Sequence, residues 1–194
     1  MSVRLLAGDA LILVDIQLDF LPGGSLAVPR GDEVVPALNR YLAVFRGLTL
    51  PVVATRDWHP PDHCSFREQG GIWPPHCVAG SDGARFAPLL DLPCEAHIVS
   101  KATAREKDAY SGFEGTDLDD WLKRAGVRRA FVGGLATDYC VLNTVRDALR
   151  LGYATFLLLD AVRAVDVQAG DGERAIDEMR RLGAEAIEIG DLAA

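Results

Sequence analysis

Short apolar runs alternate along the chain with longer segments in which apolar residues recur at helical spacing. The apolar runs are rich in β-branched residues and read ALILVDI, PVVAT, HIVSK, AFVGGL, ATFLLLD and AEAIEI. The helical segments cover residues 33–45, 118–125, 138–151 and 172–182. Alternating strands and helices are typical of parallel strands joined by crossover helices, and runs without polar alternation are typical of strands covered on both faces. The pattern therefore predicts an α/β fold with a doubly wound, mostly parallel sheet of about six strands and helices on both faces.

Length and composition limit the classes of protein to which the chain can belong. Its 194 residues are enough for one domain with a full core, and we expect a single domain over residues 1–194. The net charge of −8 disfavours nucleic-acid binding, which depends on clustered Lys and Arg. The start of the chain, residues 1–8, is too short for a signal peptide, and no apolar stretch reaches the roughly 20 residues of a membrane span. We therefore expect a cytoplasmic protein that binds neither nucleic acid nor membrane.

Chemically useful side chains stand at the carboxyl ends of four predicted strands. Asp15, Asp57 and Lys101 each end an apolar run, and Cys140 opens the segment after a fourth. An α/β sheet builds its sites at this edge, so these side chains are expected to converge in one crevice. Each has a plain alternative: Asp15 as a turn acid satisfied by backbone N–H groups, and Lys101 as an amine that reaches solvent.

Cys140 is a candidate nucleophile because of its position after a strand. The predicted helix begins near Asp138, a candidate N-cap, so that Cys140 falls in the first turn, where N–H groups and the helix dipole favour a thiolate. Backbone N–H groups there could also face the oxygen of an incoming carbonyl. Taken alone, the position is more typical of a packed structural cysteine. The other three cysteines, Cys64, Cys77 and Cys94, are interpreted as free structural thiols.

A candidate metal site follows the second strand. Residues 57–91 form a long irregular region that contains three of the four histidines and two of the three tryptophans. Asp57 and His59 are two residues apart, so in an extended segment their side chains point to one side, and the prolines at 60 and 61 keep the segment extended. An oxygen and imidazole set suits zinc, iron(II) or manganese. By spacing alone, which is common among proteins, a polar surface loop is the preferred interpretation.

Six motifs together carry a specific resemblance that covers nearly the whole chain. They are DIQLDFLPGGSL at 15–26, TRDWHPPDH at 55–63, WPPHCV at 73–78, SKAT at 100–103, YSGFEGTDL at 110–118 and GGLATDYCV at 133–141. In this order they resemble the nicotinamidases of the isochorismatase-like cysteine hydrolases. The resemblance implies hydrolysis of nicotinamide to nicotinic acid and ammonia through a cysteine thioester, in NAD salvage, with pyrazinamide as a further substrate.

The resemblance also implies a role for each site residue. Asp15, Lys101 and Cys140 become the catalytic triad, with Asp15 as the base and Lys101 favouring the ionised forms of its neighbours. The Leu135–Ala136 bond becomes a cis peptide, and the N–H groups of Ala136 and Cys140 become the oxyanion hole. The resemblance implies one divalent metal, zinc with iron or manganese as alternatives, bound by Asp57, His59 and His76. Whether His63 is an additional ligand or only a neighbour of the ligands stays open. The substrate ring is contacted by Phe20, Trp73 and Tyr110, which could equally be packing residues.

Two alternatives stay open from the sequence, one within the same superfamily and one in a different class. The first is another amide or carbamoyl hydrolase; isochorismate-cleaving members lack the nucleophilic cysteine present here. The second is a non-catalytic nucleotide-binding or regulatory α/β module, since one fold hosts many functions. No glycine-rich phosphate-binding run follows a strand, which argues against the second alternative. A homo-oligomer is an expectation that no motif supports.

Overall fold

The strands and helices alternate along the chain as the pattern predicts. The computed structural model describes residues 2–193; Met1 and Ala194, the two ends of the predicted domain, lie outside the described residues. The strands are β1 (Asp9–Val14), β2 (Val52–Asp57), β3 (His97–Lys101), β4 (Arg129–Leu135), β5 (Ala154–Arg163) and β6 (Glu185–Ile187). The α-helices are α1 (Val34–Gly47), α2 (Leu118–Arg124), α3 (Leu142–Arg150) and α4 (Asp171–Leu182). Short 3₁₀ turns lie at Leu18–Phe20, Gly31–Glu33, Arg67–Gln69 and Ile189–Asp191.

The six strands form one sheet in the order β3-β2-β1-β4-β5-β6, and each adjacent pair is parallel. The predicted doubly wound α/β fold is therefore confirmed. The chain builds outwards from β1 to β3 on one side and then returns to the centre to add β4 beside β1. Ligands of open α/β sheets bind at such a reversal, beyond the carboxyl ends of the central strands. The topology alone thus directs attention to the segments that follow β1 and β4.

Both faces of the sheet are covered, which explains why the strands lack polar alternation. On one face Leu11 and Leu13 of β1 pack in a cluster with α1. On the other face Ile12 and Val14 pack in a second cluster with residues of α2, α3 and α4. Successive side chains of a strand point to opposite faces, so a strand buried on both sides must be apolar throughout. Within residues 2–193, no helix is both long and apolar enough to cross a bilayer.

The predicted helix over 138–151 is wrong at its start. Thr137–Val141 form a π-helical turn, and α3 begins only at Leu142. Asp138 does not cap the helix, because its carboxylate accepts hydrogen bonds from the N–H groups of Val165 (3.0 Å) and Asp166 (2.9 Å). The segment after β5 runs beside the turn, and its N–H groups take the carboxylate away from the helix end.

The irregular region over 57–91 is ordered by short backbone pairings, two within the region and one with the segment after β1. His59 pairs with Val78, Phe66 with Trp73, and the segment after β1 pairs through Gln17 with Phe86. These contacts fold the region back on itself over the carboxyl edge of the sheet. The predicted absence of long helices and strands here is confirmed, with one 3₁₀ turn at Arg67–Gln69.

Gly134 is required where β1 and β4 pair next to the site. Its φ is +132°, and a Cβ added there would lie 2.1 Å from the carbonyl oxygen of Val14. We expect Gly134→Ala to lower the free energy of unfolding by roughly 3 kcal/mol, because the backbones of the two central strands must separate. Chemical denaturation measures the loss. Gly152→Ala is the matched control, because Gly152 also has a positive φ but open space around it, and it should cost only about 1 kcal/mol. Equal losses in the two variants would contradict the steric argument.

Candidate active site and metal site

The four side chains at the strand ends meet at the carboxyl edge of the sheet. Asp57 and Lys101 are paired residues at the ends of β2 and β3. Asp15 directly follows β1, and Cys140 lies in the π-helical turn after β4. All four are buried. The plain alternatives, Asp15 as a turn acid satisfied by backbone N–H groups and Lys101 as an amine that reaches solvent, do not describe this arrangement.

Lys101 stands at the centre of the group. Its Nζ lies 3.0 Å from Asp15 Oδ2 and 3.4 Å from Cys140 Sγ, and it forms an ion pair with Asp57 Oδ1. It also donates to the carbonyl oxygen of Ala109 at 3.3 Å. The ligand-type atoms of Asp15, Asp57 and Cys140 all lie within 4.8 Å of one another. One buried ammonium therefore contacts both carboxylates and the thiol.

Burial controls the protonation of this group. Burial raises the pKa of the Asp15 carboxyl and outweighs the opposing effect of the Lys101 ammonium. Burial raises the pKa of the Cys140 thiol in the same way. For Lys101, burial acts to lower the pKa, but the two carboxylates outweigh it and the pKa lies well above its ordinary value. Lys101 thus favours the ionised forms of its neighbours, as expected, but burial has the larger effect on them.

Asp15 is further oriented by a neighbouring strand. The Thr55 hydroxyl donates to Asp15 Oδ1 at 2.7 Å, and the Asp15 N–H donates to the Thr55 carbonyl at 3.2 Å. Asp15 itself has a φ of +53°. The carboxylate is thereby fixed on one side by a hydroxyl and on the other by Lys101, in a position from which it can exchange a proton with Cys140.

Asp57, His59 and His76 bring one ligand-type atom each to within 4.8 Å of one another. Asp57 Oδ2 lies 3.6 Å from His59 Nε2 and 3.9 Å from His76 Nε2. His59 is buried with no hydrogen-bond partner for either ring nitrogen. His76 donates from Nδ1 to the Pro74 carbonyl at 2.8 Å, which leaves the lone pair of Nε2 directed at the cluster.

These observations fit a divalent metal. Unpartnered buried imidazole nitrogens are costly unless a ligand satisfies them, and a carboxylate with two imidazoles is a common donor set for zinc, iron(II) or manganese. Burial acts to raise the pKa of Asp57, but the Lys101 ammonium and the His59 ring hold it below the usual range, so the ligand is ionised. Three protein ligands leave further positions for water or substrate.

His63 stands beside this cluster with both of its ring nitrogens engaged elsewhere. Nδ1 lies 2.8 Å from the Ser65 hydroxyl and Nε2 lies 3.2 Å from the Lys107 carbonyl. Its ring packs against that of His59 with the centroids 4.3 Å apart. The geometry favours His63 as a residue that supports the His59 ring over His63 as an additional ligand.

A cavity with aromatic walls connects the two groups. Phe20, Trp73 and Tyr110 line it, as the resemblance implies, and the Trp73 indole N–H donates to the Tyr110 hydroxyl at 3.0 Å. Four further lining residues were not predicted from the sequence: Leu26, Val28, Tyr139 and Val165. Tyr139 could have been found from its place next to Cys140, whereas the three aliphatic residues carry no signal beyond their hydrophobicity.

Ala136 lines the same cavity as Cys140, and the Leu135–Ala136 peptide bond is cis, as the resemblance implies. The carbonyl oxygen of Ala136 accepts the N–H groups of Tyr139 and Val141, both at 3.1 Å. The π-helical turn that carries Cys140 is thus tied to the end of β4. The remaining cysteines, Cys64, Cys77 and Cys94, are free thiols, as predicted.

Residues 9–191 match the isochorismatase domain. The chain belongs to the isochorismatase family. It is 40% identical to the nicotinamidase of Escherichia coli over an alignment of 203 residues that covers 94% of this chain and 95% of that protein. It is 42% identical over 186 residues to the nicotinamidase/pyrazinamidase of Mycobacterium tuberculosis, which covers 92% of this chain and 97% of that protein.

Solved structures of similar proteins extend the comparison of this isochorismatase-family chain to bound groups. The pyrazinamidase of Pyrococcus horikoshii in complex with zinc has a TM-score of 0.90 at 49% identity, covering 94% of this chain and 99% of that one. PnC1 from L. infantum in complex with nicotinate has a TM-score of 0.92 at 36% identity, covering all of both chains. The N-carbamoylsarcosine amidase of Thermoplasma acidophilum has a TM-score of 0.77 at 30% identity, and the match covers 93% of this chain and 95% of that one.

Proposed function

We propose that this isochorismatase-family protein is a nicotinamidase that hydrolyses nicotinamide to nicotinic acid and ammonia. One observation carries the proposal: a buried Asp15–Lys101–Cys140 group and the Asp57–His59–His76 cluster adjoin one cavity with aromatic walls, which Cys140, Asp57 and His76 line. The first group supplies a nucleophile and a base, and the second supplies ligands for a metal. Similar proteins named nicotinamidase at 40% and 42% identity support the same activity.

Asp15 and Cys140 carry the reaction in this proposal. Asp15 takes the thiol proton as the sulfur attacks the amide carbonyl carbon, and the N–H groups of Ala136 and Cys140 stabilise the oxyanion of the tetrahedral intermediate. The C–N bond then breaks, and Asp15 returns the proton to the departing nitrogen, which leaves as ammonia. Water, deprotonated by Asp15, hydrolyses the remaining thioester, and nicotinic acid leaves while the proton returns to Cys140. Lys101 stays protonated and balances the negative charge.

Asp57, His59 and His76 would hold one divalent metal, and we favour zinc over iron or manganese. When bound, the metal supplies a Lewis-acidic position for the pyridine nitrogen of the substrate. Phe20, Trp73 and Tyr110 enclose the ring from the sides and exclude water. In this proposal the ring nitrogen faces His59 and His76 across the metal, and the amide faces the Cys140 thiol. Pyrazinamide, which has the same ring geometry, fits the same arrangement.

The biological setting follows from the reaction. Conversion of nicotinamide to nicotinic acid is a step of NAD salvage, and we propose a cytoplasmic enzyme built on one domain over residues 1–194. The carbamoyl hydrolases of the superfamily are the closest competing function, because the same thiol, carboxylate and amine could cleave another amide. The two buried histidines beside Asp57 favour an aromatic substrate with a ring nitrogen over such compounds.

The deciding experiment measures ammonia release from nicotinamide, N-carbamoylsarcosine and a non-aromatic amide by the purified protein. We expect nicotinamide to be the preferred substrate by kcat/KM. Preference for the carbamoyl compound would transfer the function to the competing hydrolase. Thermal stabilisation by nucleotides without ammonia release from any amide would favour the regulatory module.

Metal removal provides a separate prediction. We expect His59→Ala to lose bound metal and to lower kcat/KM for nicotinamide on the order of 100-fold or more, because two ligands remain of three. Metal analysis and kinetics on the same sample measure both effects. His97→Ala is the matched control, since His97 lies at the opposite end of β3 and stacks on Trp121 at a centroid distance of 4.5 Å. Full activity of a metal-free His59→Ala enzyme would remove the metal from the proposal.

A further inference from the structure

The segment that follows β1 reaches the backbone of a metal ligand through a buried amide. Gln17 is fully buried. Its Nε2 donates to the carbonyl oxygens of Asp57 (2.8 Å) and Ala84 (3.0 Å), and its Oε1 accepts the N–H of Asp57 at 2.8 Å. One side chain thus satisfies both backbone groups of Asp57.

This contact replaces a missing part of the sheet. The pairing of β1 with β2 ends at Leu13 and Ala54, and the last backbone bond between the two segments joins Asp15 to Thr55. Asp57 is the final residue of β2 and has no strand partner on that side. Buried backbone groups without partners are costly, so Gln17 supplies the hydrogen bonds that a longer β1 would have supplied.

A second side chain of the same segment holds the turn that carries His76. Asp19 Oδ2 accepts the N–H of Cys77 at 2.7 Å, and Oδ1 accepts the N–H of Ser25 at 3.2 Å. Cys77 has a φ of +46°, so the backbone beside His76 adopts a conformation that needs support. One oxygen of the Asp19 carboxylate supplies that support, and the other anchors the segment that follows β1 through the N–H of Ser25.

We propose that Gln17 and Asp19 are positioning residues that fix the metal ligands Asp57 and His76 relative to each other. Both side chains contact the backbone at or beside a ligand and bind no substrate. They belong to the segment that begins at Asp15, so the base and two metal ligands share one support. Outer partners of metal ligands typically change metal affinity by about 10- to 100-fold. The inference rests on the metal site of the proposed function.

The test measures zinc affinity by competition with a chelator, in the absence of any substrate. Gln17→Met keeps the length of the side chain and removes all three hydrogen bonds, and we expect zinc to bind about 10- to 100-fold more weakly. Asn39→Leu is the matched control. The Asn39 amide also clamps a loop, donating to the Leu89 carbonyl at 2.8 Å and accepting the Asp91 N–H at 2.9 Å, but it touches no metal ligand. Its zinc affinity should equal that of the wild type.

Asp19→Asn keeps the inference testable if Gln17→Met does not fold. Asparagine has nearly the same volume, but its side-chain NH2 cannot accept a hydrogen bond, so the N–H of either Cys77 or Ser25 loses its acceptor. We expect weaker zinc binding than in the wild type. Zinc affinity equal to the wild type in the folded variants would overturn the inference, as would a wild-type protein that does not bind zinc. Failure of the wild type to hydrolyse nicotinamide would instead overturn the proposed function and leave a measured change in zinc affinity standing.

Discussion

Replacement of Cys140 by alanine is expected to abolish nicotinamide hydrolysis, with kcat lower by on the order of 10⁴-fold or more, as when a covalent hydrolase loses its nucleophile. The physical reason is that the remaining groups cannot form the thioester. Asp15 and Lys101 would keep their positions, but neither presents a nucleophile of comparable strength. Ammonia release under saturating substrate measures the effect. Rapid denaturation of the wild type during turnover, followed by mass spectrometry, should detect the acyl group on the peptide that contains Cys140.

Cys64→Ala is the control for this experiment. Cys64 is a free thiol of the same chain, half-buried in the irregular region, and its backbone N–H donates to the Arg105 carbonyl at 2.8 Å. Its side chain is absent from the cavity lining. Wild-type kcat in Cys64→Ala, together with loss in Cys140→Ala, assigns the thiol. Substantial turnover by Cys140→Ala would show that water attacks the amide directly and that no covalent intermediate forms.

The meeting of Asp15, Asp57, Lys101 and Cys140 could be predicted because it depends on short-range information. Each stands at the end of an apolar run, and parallel strands bring their carboxyl ends to one edge whatever the details of the loops. The strand order of the structure adds one fact to this prediction: the order reverses between β1 and β4, next to the site. The sequence pattern was therefore sufficient for the convergence, although it could not say which atoms touch.

The parts that could not be predicted depend on contacts between distant segments. A π-helical turn at Thr137–Val141 replaces the predicted first turn of a helix, and Asp138 in this turn binds N–H groups 27 and 28 residues away. The backbone clamp of Gln17 spans 40 residues, and that of Asp19 spans 58. Nothing in the local sequence of Gln17 distinguishes a buried clamp from an exposed amide.

The structure also changes the role of Asp57. The resemblance implies a place for Asp57 in the metal site, separate from the triad. In the structure its Oδ1 forms an ion pair with Lys101, whereas its Oδ2 faces His59 and His76. One carboxylate therefore joins the two groups, and a displacement of Asp57 is expected to disturb both the proposed metal ligands and the charge balance around Cys140. The proposed backbone clamp on Asp57 is therefore expected to affect both groups.

Lys101 is expected to be the residue whose loss most affects stability and activity together. Lys101→Met removes a buried ammonium that contacts Asp15, Asp57 and Cys140. Breaking a buried ion pair from one side typically costs about 3–5 kcal/mol, because the partner charges stay buried without compensation. We expect a loss of this size in the free energy of unfolding. We also expect kcat to fall on the order of 10³-fold or more, since the ionised Asp57 carboxylate then opposes, without a compensating ammonium, the negative charge that develops as Asp15 takes the thiol proton.

Lys123→Met is the control that isolates burial from charge. Lys123 also pairs with an aspartate, Asp119, at 2.6 Å, but on the exposed surface of α2. Exposed ion pairs contribute little because water and salt screen them, so this variant should keep the stability and kcat of the wild type. Chemical denaturation and ammonia release on both variants measure the difference. If Lys101→Met were as stable and as active as Lys123→Met, the two buried carboxylates would not need the ammonium, and the charge balance argued for this site would be wrong.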